Sequence, residues 1–338
     1  MGLQPHAGPQ RNPDLGAGSL RSRQSARLLL PLGAGGRGTH GRAVLLGDER
    51  RSDLQRSLRS ADRLSRSRGN RFPRIETGRS RLEIRARELS GSYPAPGRFG
   101  LALGRRTVVR EVSFEVATGE VVALVGKNGS GKSTTLRLLA GLLSADRGEA
   151  LLGDAPATRN EARRHLGYLG EEDEFPAGLR VRDVLRYAAV LAGYRGSGAR
   201  REAERTAETV GVAEWLATPA ARASRGVRRR VSLAQALLGE PRALILDEPL
   251  TGLDPEARVS ALAAIRCAAR EGAAVILTLH EAAAIESLAD RLIVLADGAV
   301  AATGPVEDFV ANGTDPSVSG EEGGWLAAAL NGASPVVP

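Results

Sequence analysis

Lysine is almost missing from this chain of 338 residues: 45 of its 47 basic residues are Arg, and the two Lys, Lys127 and Lys132, stand in one glycine-rich loop. Cysteine is equally scarce. The single Cys267 excludes an intrachain disulfide and a cysteine-built metal cluster, which suits a reducing compartment. Its Ala-rich surroundings predict a small buried hydrophobe on a helix. Aromatics make up 3% of the chain, so a core has to be built from Leu, Val, Ile and Ala, and the 42% apolar content is enough for one. No apolar run approaches the roughly 18 residues that a membrane-spanning helix needs. Any role at a membrane then depends on a partner.

The net charge of +8 suggests nucleic acid until it is located. Residues 1–80 hold 16 Arg against 6 acidic residues, whereas the remainder carries a small acidic excess. The basic character therefore belongs to the N-terminal stretch. That stretch mixes Arg, Gly, Ser and Pro without periodicity, which predicts disorder. Its six acidic residues and its Gly and Pro interruptions argue against an organellar transit peptide. A start codon assigned too early is the other expectation for it.

From Leu82 the texture changes. LEIRARELSGSY alternates as a strand does and ends at Tyr93, and VREVSFEV (109–116) alternates again. Thr118 and Gly119 make a turn before EVVALV (120–125), an apolar run that suits a strand buried on both faces. STTLRLLAGLL (133–143) carries Leu136, Leu139, Ala140 and Leu143 at helical spacing. Between about 171 and 225 the pattern is helical, most clearly in VRDVLRYAAVLAG (181–193). Strand-like runs return at ALILD (243–247), AVILTL (274–279) and RLIVLADG (291–298). Such alternation predicts an α/β fold with a mostly parallel sheet. Residues 311–338 are predicted to form a weakly ordered tail.

GKNGSGKS (126–133) fits the phosphate-loop pattern G-x-x-x-x-G-K-[ST] at every fixed position, with a buried strand before it and a helix after it. Glycines let the backbone N–H groups converge on phosphate oxygens. The helix N-terminus adds partial positive charge. Lys132 is predicted to reach the β- and γ-phosphates, and Ser133 to place its hydroxyl on Mg²⁺. Gly126, Asn128, Gly129, Gly131, Lys132, Ser133 and Thr134 form the predicted nucleotide-binding set. Downstream, ALILDEP (243–249) is an apolar run ending in two carboxylates. Asp247 is placed to face the Mg²⁺ shell and Glu248 to polarise an attacking water, the two tasks that γ-phosphoryl transfer to water requires.

Taken together, these segments resemble the ABC ATPase family across about residues 82–305. LDEPLTGLDP (246–255) is similar to its Walker B segment and D-loop, and ASRGVRRRVSLAQALLGEP (223–241) to its signature region. ILTLHEAAAIESLADRLIVLADGAV (276–300) resembles the family's switch-histidine strand and the segment after it. The resemblance implies a P-loop NTPase cassette over 82–310: a mostly parallel core sheet, an N-terminal antiparallel β part, and a helical subdomain inserted at about 171–225. It also implies a head-to-tail dimer with a second ABC ATPase subunit, sandwiching two ATP. Ser224 and Gly226 would then contact the γ-phosphate of the partner's site, and Asp254 would lie across the interface. His280 would hold the γ-phosphate and orient the water, and Tyr93 would stack on adenine.

Three departures from the family pattern stand out. Arg225 replaces the first signature glycine in ASRGV (223–227). Glu171, in GYLGEE, stands where the family carries Gln, and could still bind Mg²⁺ or water as a catalytic and metal-binding side chain. Arg228–Arg230 make the signature helix unusually basic, with Arg229 at a place often taken by Gln; a solvated charged face is the expectation there. The first two departures resemble exporter subunits. The resemblance implies a transport ATPase on the cytoplasmic face of the cell membrane, working with a separate transmembrane permease subunit. The alternative is a nucleic-acid-linked ABC ATPase in repair, chromosome organisation or translation. A single cassette, the lack of a long heptad insert and the confinement of basic charge to 1–80 disfavour that alternative, and no nucleic-acid partner is expected. A weakly catalytic regulatory cassette is disfavoured by the presence of both Glu248 and His280. Deleting residues 1–80 should leave ATP hydrolysis intact, and loss of binding of a fluorescent ATP analogue by the shortened chain would overturn that reading of the leader.

Overall fold

A computed structural model describes residues 82–95, 104–312 and 324–331. The leader at 1–80 and most of the predicted tail lie outside the described residues. The chain first forms β1 (Leu82–Pro94), β2 (Arg105–Ala117), β3 (Val121–Gly126) and α1 (Lys132–Leu139). Next come β4 (Arg147–Leu152), β5 (Ala155–Pro156), α2 (Asn160–Arg163) and β6 (Leu166–Leu169). Three helices then follow without a strand, α3 (Val181–Leu191), α4 (Gly196–Thr209) and α5 (Arg225–Leu237). The remainder alternates: β7 (Ala243–Leu246), α6 (Pro255–Arg270), β8 (Ala274–Thr278), α7 (Ala282–Leu288) and β9 (Arg291–Ala296). A hairpin strand β10 (Ala299–Pro305), α8 (Val306–Asn312) and α9 (Gly324–Leu330) complete the described part.

Two sheets result. One is antiparallel, in the order β2-β1-β4-β5. The other runs β10-β9-β3-β8-β7-β6 and is parallel except for the edge strand β10. The α/β architecture with a mostly parallel sheet and an antiparallel part is as the sequence predicts. The larger sheet is covered on both sides, which explains why its strands are continuous apolar runs. In β3, Val121, Ala123 and Val125 join the core shared with α3 to α7, whereas Val122 and Leu124 face the core shared with the antiparallel sheet and α1. The same alternation repeats in β7, where Leu244 and Leu246 take one face and Ala243 and Ile245 the other.

Several boundaries differ from the sequence expectation for identifiable reasons. Helix α1 ends at Leu139. Gly141, with φ +65, turns the chain out of the helix before Leu143. β4, β5, β6 and β10 are not evident in the sequence, being short or polar at one end. Cys267 is half-buried on α6 with its thiol against Glu271, rather than a buried hydrophobe. The expectation of a weakly ordered tail fails at Gly324–Leu330: Trp325, Leu326 and Ala329 lie on one face of α9 and are buried, and the Trp325 indole N–H donates to Glu286 at 2.7 Å. Their spacing of one and four residues was the available signal.

Helix α5 seats closely on the end of β6 because Gly167 has no side chain. A Cβ there would overlap the Ala236 carbonyl and lie 2.5 Å from Leu244. Gly167→Ala should therefore destabilise the chain by about 1–3 kcal/mol in urea unfolding. Gly198→Ala, on α4 with open space around it, should instead stabilise it by up to about 1 kcal/mol.

Candidate active site

Four neighbouring parallel strands, β3, β8, β7 and β6, end on one edge of the larger sheet. Each hands the chain to a segment singled out by sequence. β3 leads into the loop Gly126–Ser133, β7 into Asp247 and Glu248, β8 into His280, and β6 into Glu171. The carboxyl edge of a parallel sheet is where α/β folds place their ligands.

The loop is shaped by its glycines. Gly131 has φ +101, and a Cβ there would sit 2.9 Å from the Val108 carbonyl oxygen. Lys127, Asn128 and Gly129 form the exposed crest of the loop, while Lys132 and Thr134 are buried and Ser133 is half-buried. The Lys132 ammonium donates to the carbonyls of Gly126 at 2.8 Å and Lys127 at 3.2 Å. Burial pushes the Lys132 pKa below its usual range, opposed by the charges of Glu248 and Asp247. The fold thus brings the loop cation and the two strand-end carboxylates into one electrostatic neighbourhood.

Glu248 sits in the left-handed region, with φ +49. Such a backbone is costly for a non-glycine residue and persists only where its surroundings hold it. Here the holding groups are visible. The Glu248 N–H donates to the Thr278 hydroxyl at 2.7 Å, and that hydroxyl donates to Asp247 Oδ1 at 2.8 Å. Thr278 is fully buried. The Glu248 carboxylate has a partner on each oxygen: His280 Nε2 lies 2.7 Å from Oε1, and the Thr251 hydroxyl donates to Oε2 at 3.0 Å. Burial pushes the Glu248 pKa up. The hydrogen bonds from His280 and Thr251 and the charges of His280 and Lys132 more than offset it, so the net direction is down. An ionised carboxylate can only accept, so His280 Nε2 carries the proton in this pair.

The remaining predicted residues fall into two groups. Ser224 caps α5, its Oγ accepting from the Val227 N–H at 3.3 Å, and Asp254 caps α6, accepting from the Ala257 N–H at 2.9 Å. Gly226 packs on Gly252 and Leu253 of the same chain, while Ser224 and Arg225 face outward. Glu171 is exposed beyond β6. Tyr93 is half-buried on β1, and its phenol and that of Tyr168 raise the pKa of the Arg137 guanidinium in the last turn of α1.

The solvated face expected of Arg228–Arg230 is overturned. Arg229 is 2% exposed and Arg230 is 9% exposed. Arg230 donates to the Gly211 carbonyl at 2.6 Å and lies over the Trp215 ring, 4.7 Å from its centre. Arg229 turns inward to the strand-end carbonyls of Asp247 and Glu248. Sequence reasoning also passed over Thr278 and Thr251. Thr278 stands two residues before His280, and a hydroxyl closing an otherwise apolar strand was the clue.

A divalent cation fits this site. Asp247 is 2% exposed, and its Oδ2 has no hydrogen-bond partner among the described residues. No group of three His, Cys, Asp or Glu side chains able to hold a metal occurs among the described residues. That donor set suits Mg²⁺, which takes one or two protein oxygens and completes its shell with phosphate and water. It does not suit a metal that needs a full protein cage.

The fold, the loop and the carboxylate pair define a nucleotide-binding protein of the P-loop class. The family model described as ABC transporter matches residues 109–251. The chain is 39% identical over 212 residues to the molybdenum import ATP-binding protein ModC of Mycobacterium tuberculosis, covering 59% of this chain and 58% of that one. It is 36% identical over 214 residues to the Nod factor export ATP-binding protein I of Bradyrhizobium diazoefficiens, covering 62% of this chain and 69% of that one. A solved ATP-binding subunit of an ABC transporter superposes with a TM-score of 0.63 at 29% identity, covering 74% of this chain and 99% of that one. The chain belongs to the ABC transporter family. It spans less than two thirds of the mycobacterial protein's length.

Thr278→Val keeps a β-branched side chain of similar volume but removes the hydroxyl shared by Asp247 and Glu248. It should cost about 1–3 kcal/mol in urea unfolding, because the Glu248 N–H loses its acceptor. Thr278→Ser should retain most of that stability.

Proposed function

We propose that this chain is the ATP-hydrolysing motor of a transporter whose membrane permease is a separate subunit. The observation that carries the proposal is the Glu248 carboxylate. Both its oxygens are engaged, by His280 and Thr251, at the edge of the sheet where the Lys132 loop also opens. In this reading the loop N–H groups and Lys132 bind the β- and γ-phosphates. Ser133 and the unpartnered Oδ2 of Asp247 hold Mg²⁺, which supplies charge neutralisation to the phosphates when bound. Glu171 reaches that same shell. Glu248 orients and polarises water for attack on the γ-phosphate, and His280 positions Glu248. Tyr93 supports the adenine.

Each chain provides half of a complete site in this reading. Gly226 lies against its own chain's Gly252 and Leu253 and Ser224 beside it is exposed, which suits donation to a second subunit's nucleotide. The capped Ser224 hydroxyl keeps its proton free to donate. Asp254 directly follows Leu253, next to the joint. No helix among the described residues is long and apolar enough to cross a membrane. Leu179, Tyr187, Val190 and Leu191 are exposed on and just before α3, with Tyr187 at 64% and Leu191 at 71%. This apolar set offers a seat for the permease's cytoplasmic segments. Substrate direction is read from Glu171 and Arg225, both of which resemble exporter subunits, so export is the direction we propose.

Glu248→Gln should preserve ATP binding, abolish steady-state phosphate release and shift the ATP-loaded chain to a dimer in size-exclusion chromatography. Chelation of Mg²⁺ should stop phosphate release by the unsubstituted chain. Hydrolysis by Glu248→Gln at the unsubstituted rate would remove Glu248 from its role.

A further inference from the structure

Arg229 makes five hydrogen bonds, one for each N–H that a guanidinium owns. Nη1 donates to the Gly170 carbonyl at 2.7 Å and to Asp173 Oδ1 at 3.0 Å. Nη2 donates to the Asp247 carbonyl and, at 2.9 Å, to the Glu248 carbonyl, and Nε donates to that same Glu248 carbonyl at 3.2 Å. The side chain is 3% exposed, and that of its ionic partner Asp173 is 9% exposed. A planar fork with all its donors in use has one orientation. Its partners come from two segments far apart in sequence. One is the turn 170–173 that carries Glu171, and the other is the strand end that carries both site carboxylates.

We propose that Arg229 is a positioning residue for the hydrolytic step: it clamps the Asp247 and Glu248 carbonyls, fixes the backbone that aims the Glu248 carboxylate, and ties that backbone to the Glu171 turn. The proposal rests on the assignment of Glu248 as the group that polarises water. Glu248 holds a left-handed backbone at φ +49. Thr278 secures its N–H on one side, and Arg229 secures its carbonyl on the other. A displacement of the 170–173 turn therefore pulls on the peptide that carries Glu248. A Gln at position 229 offers two N–H donors and cannot engage both segments as fully. A Lys keeps the charge but lacks the fork.

The full chain, purified as Arg229→Gln and Arg229→Lys, tests this. In both variants kcat for ATP should fall at least tenfold, while KM and the affinity for a fluorescent ATP analogue stay within twofold. Amide hydrogen exchange without nucleotide should accelerate at least tenfold across 168–173 and 246–251 and remain unchanged in β3 and α4. Should either variant fold poorly because Asp173 is left unpaired, Arg229→Gln with Asp173→Asn removes the stranded charge, and the same pattern is expected. A kcat within twofold of the unsubstituted chain in a folded variant overturns the proposal. So does exchange that is unchanged in the two segments or faster everywhere alike, which marks a merely structural residue. If the unsubstituted chain releases no phosphate from ATP, the proposed function fails, and the exchange pattern still decides whether Arg229 ties the two segments.

Discussion

The common ending of β3, β8, β7 and β6 on one edge is the constraint on which the site depends. Each strand pairs in parallel register with the next: Leu124 lies opposite Thr278, and Leu246 lies opposite both Leu277 and Leu169. Parallel pairing aligns strand ends only if both faces of the sheet are covered, since the returning segments must cross over it. The apolar residues of α3 to α7 cover one face, and α1 with the antiparallel sheet covers the other. The hydrophobic core thus acts on the site from a distance, holding four loops at one edge of the sheet.

Charge at that edge is divided between two kinds of cation. Lys132 is a point charge on a flexible stem, anchored on loop carbonyls that phosphate oxygens can outcompete. Arg229 is a fork whose donors are all spent on protein acceptors. The two Lys of this Arg-rich chain, Lys127 and Lys132, both stand in that loop. The point charge sits on the loop, and the rigid fork holds the backbone. The carboxylates divide likewise. Asp247 spends one oxygen on Thr278 and has no partner for the other among the described residues, while Glu248 has both oxygens engaged, by His280 and Thr251.

The legibility of the site in the sequence tracks the range of each interaction. The phosphate loop is local: a strand, a run of glycines, Lys132 and Ser133 in eight consecutive residues, so spacing alone carries it. Asp247 and Glu248 are equally readable, because a strand that ends in two carboxylates is a contiguous pattern. Ser224 and Asp254 emerge through family likeness, and their capping of α5 and α6 is also local, with each side chain reaching an N–H three residues on. Arg229 defeats a reading of this kind. Its neighbours Arg228 and Arg230 are also charged, so nothing in the immediate sequence separates an inward Arg from a solvated one.

The sequence by itself determined the α/β class, the glycine-rich loop and the acidic pair, because these rest on periodicities and spacings that a chain carries along its own length; His280 was singled out by the resemblance to a known family. Only the tertiary structure decided that Thr278 bridges Asp247 to Glu248, that α9 folds against Glu286, and that Arg229 is buried. The partners of Arg229 at Gly170 and Asp173 lie 59 and 56 residues away. Whether a guanidinium meets them depends on how closely α5 seats on β6, and that closeness is set by Gly167 and the packing around it rather than by any pattern near residue 229.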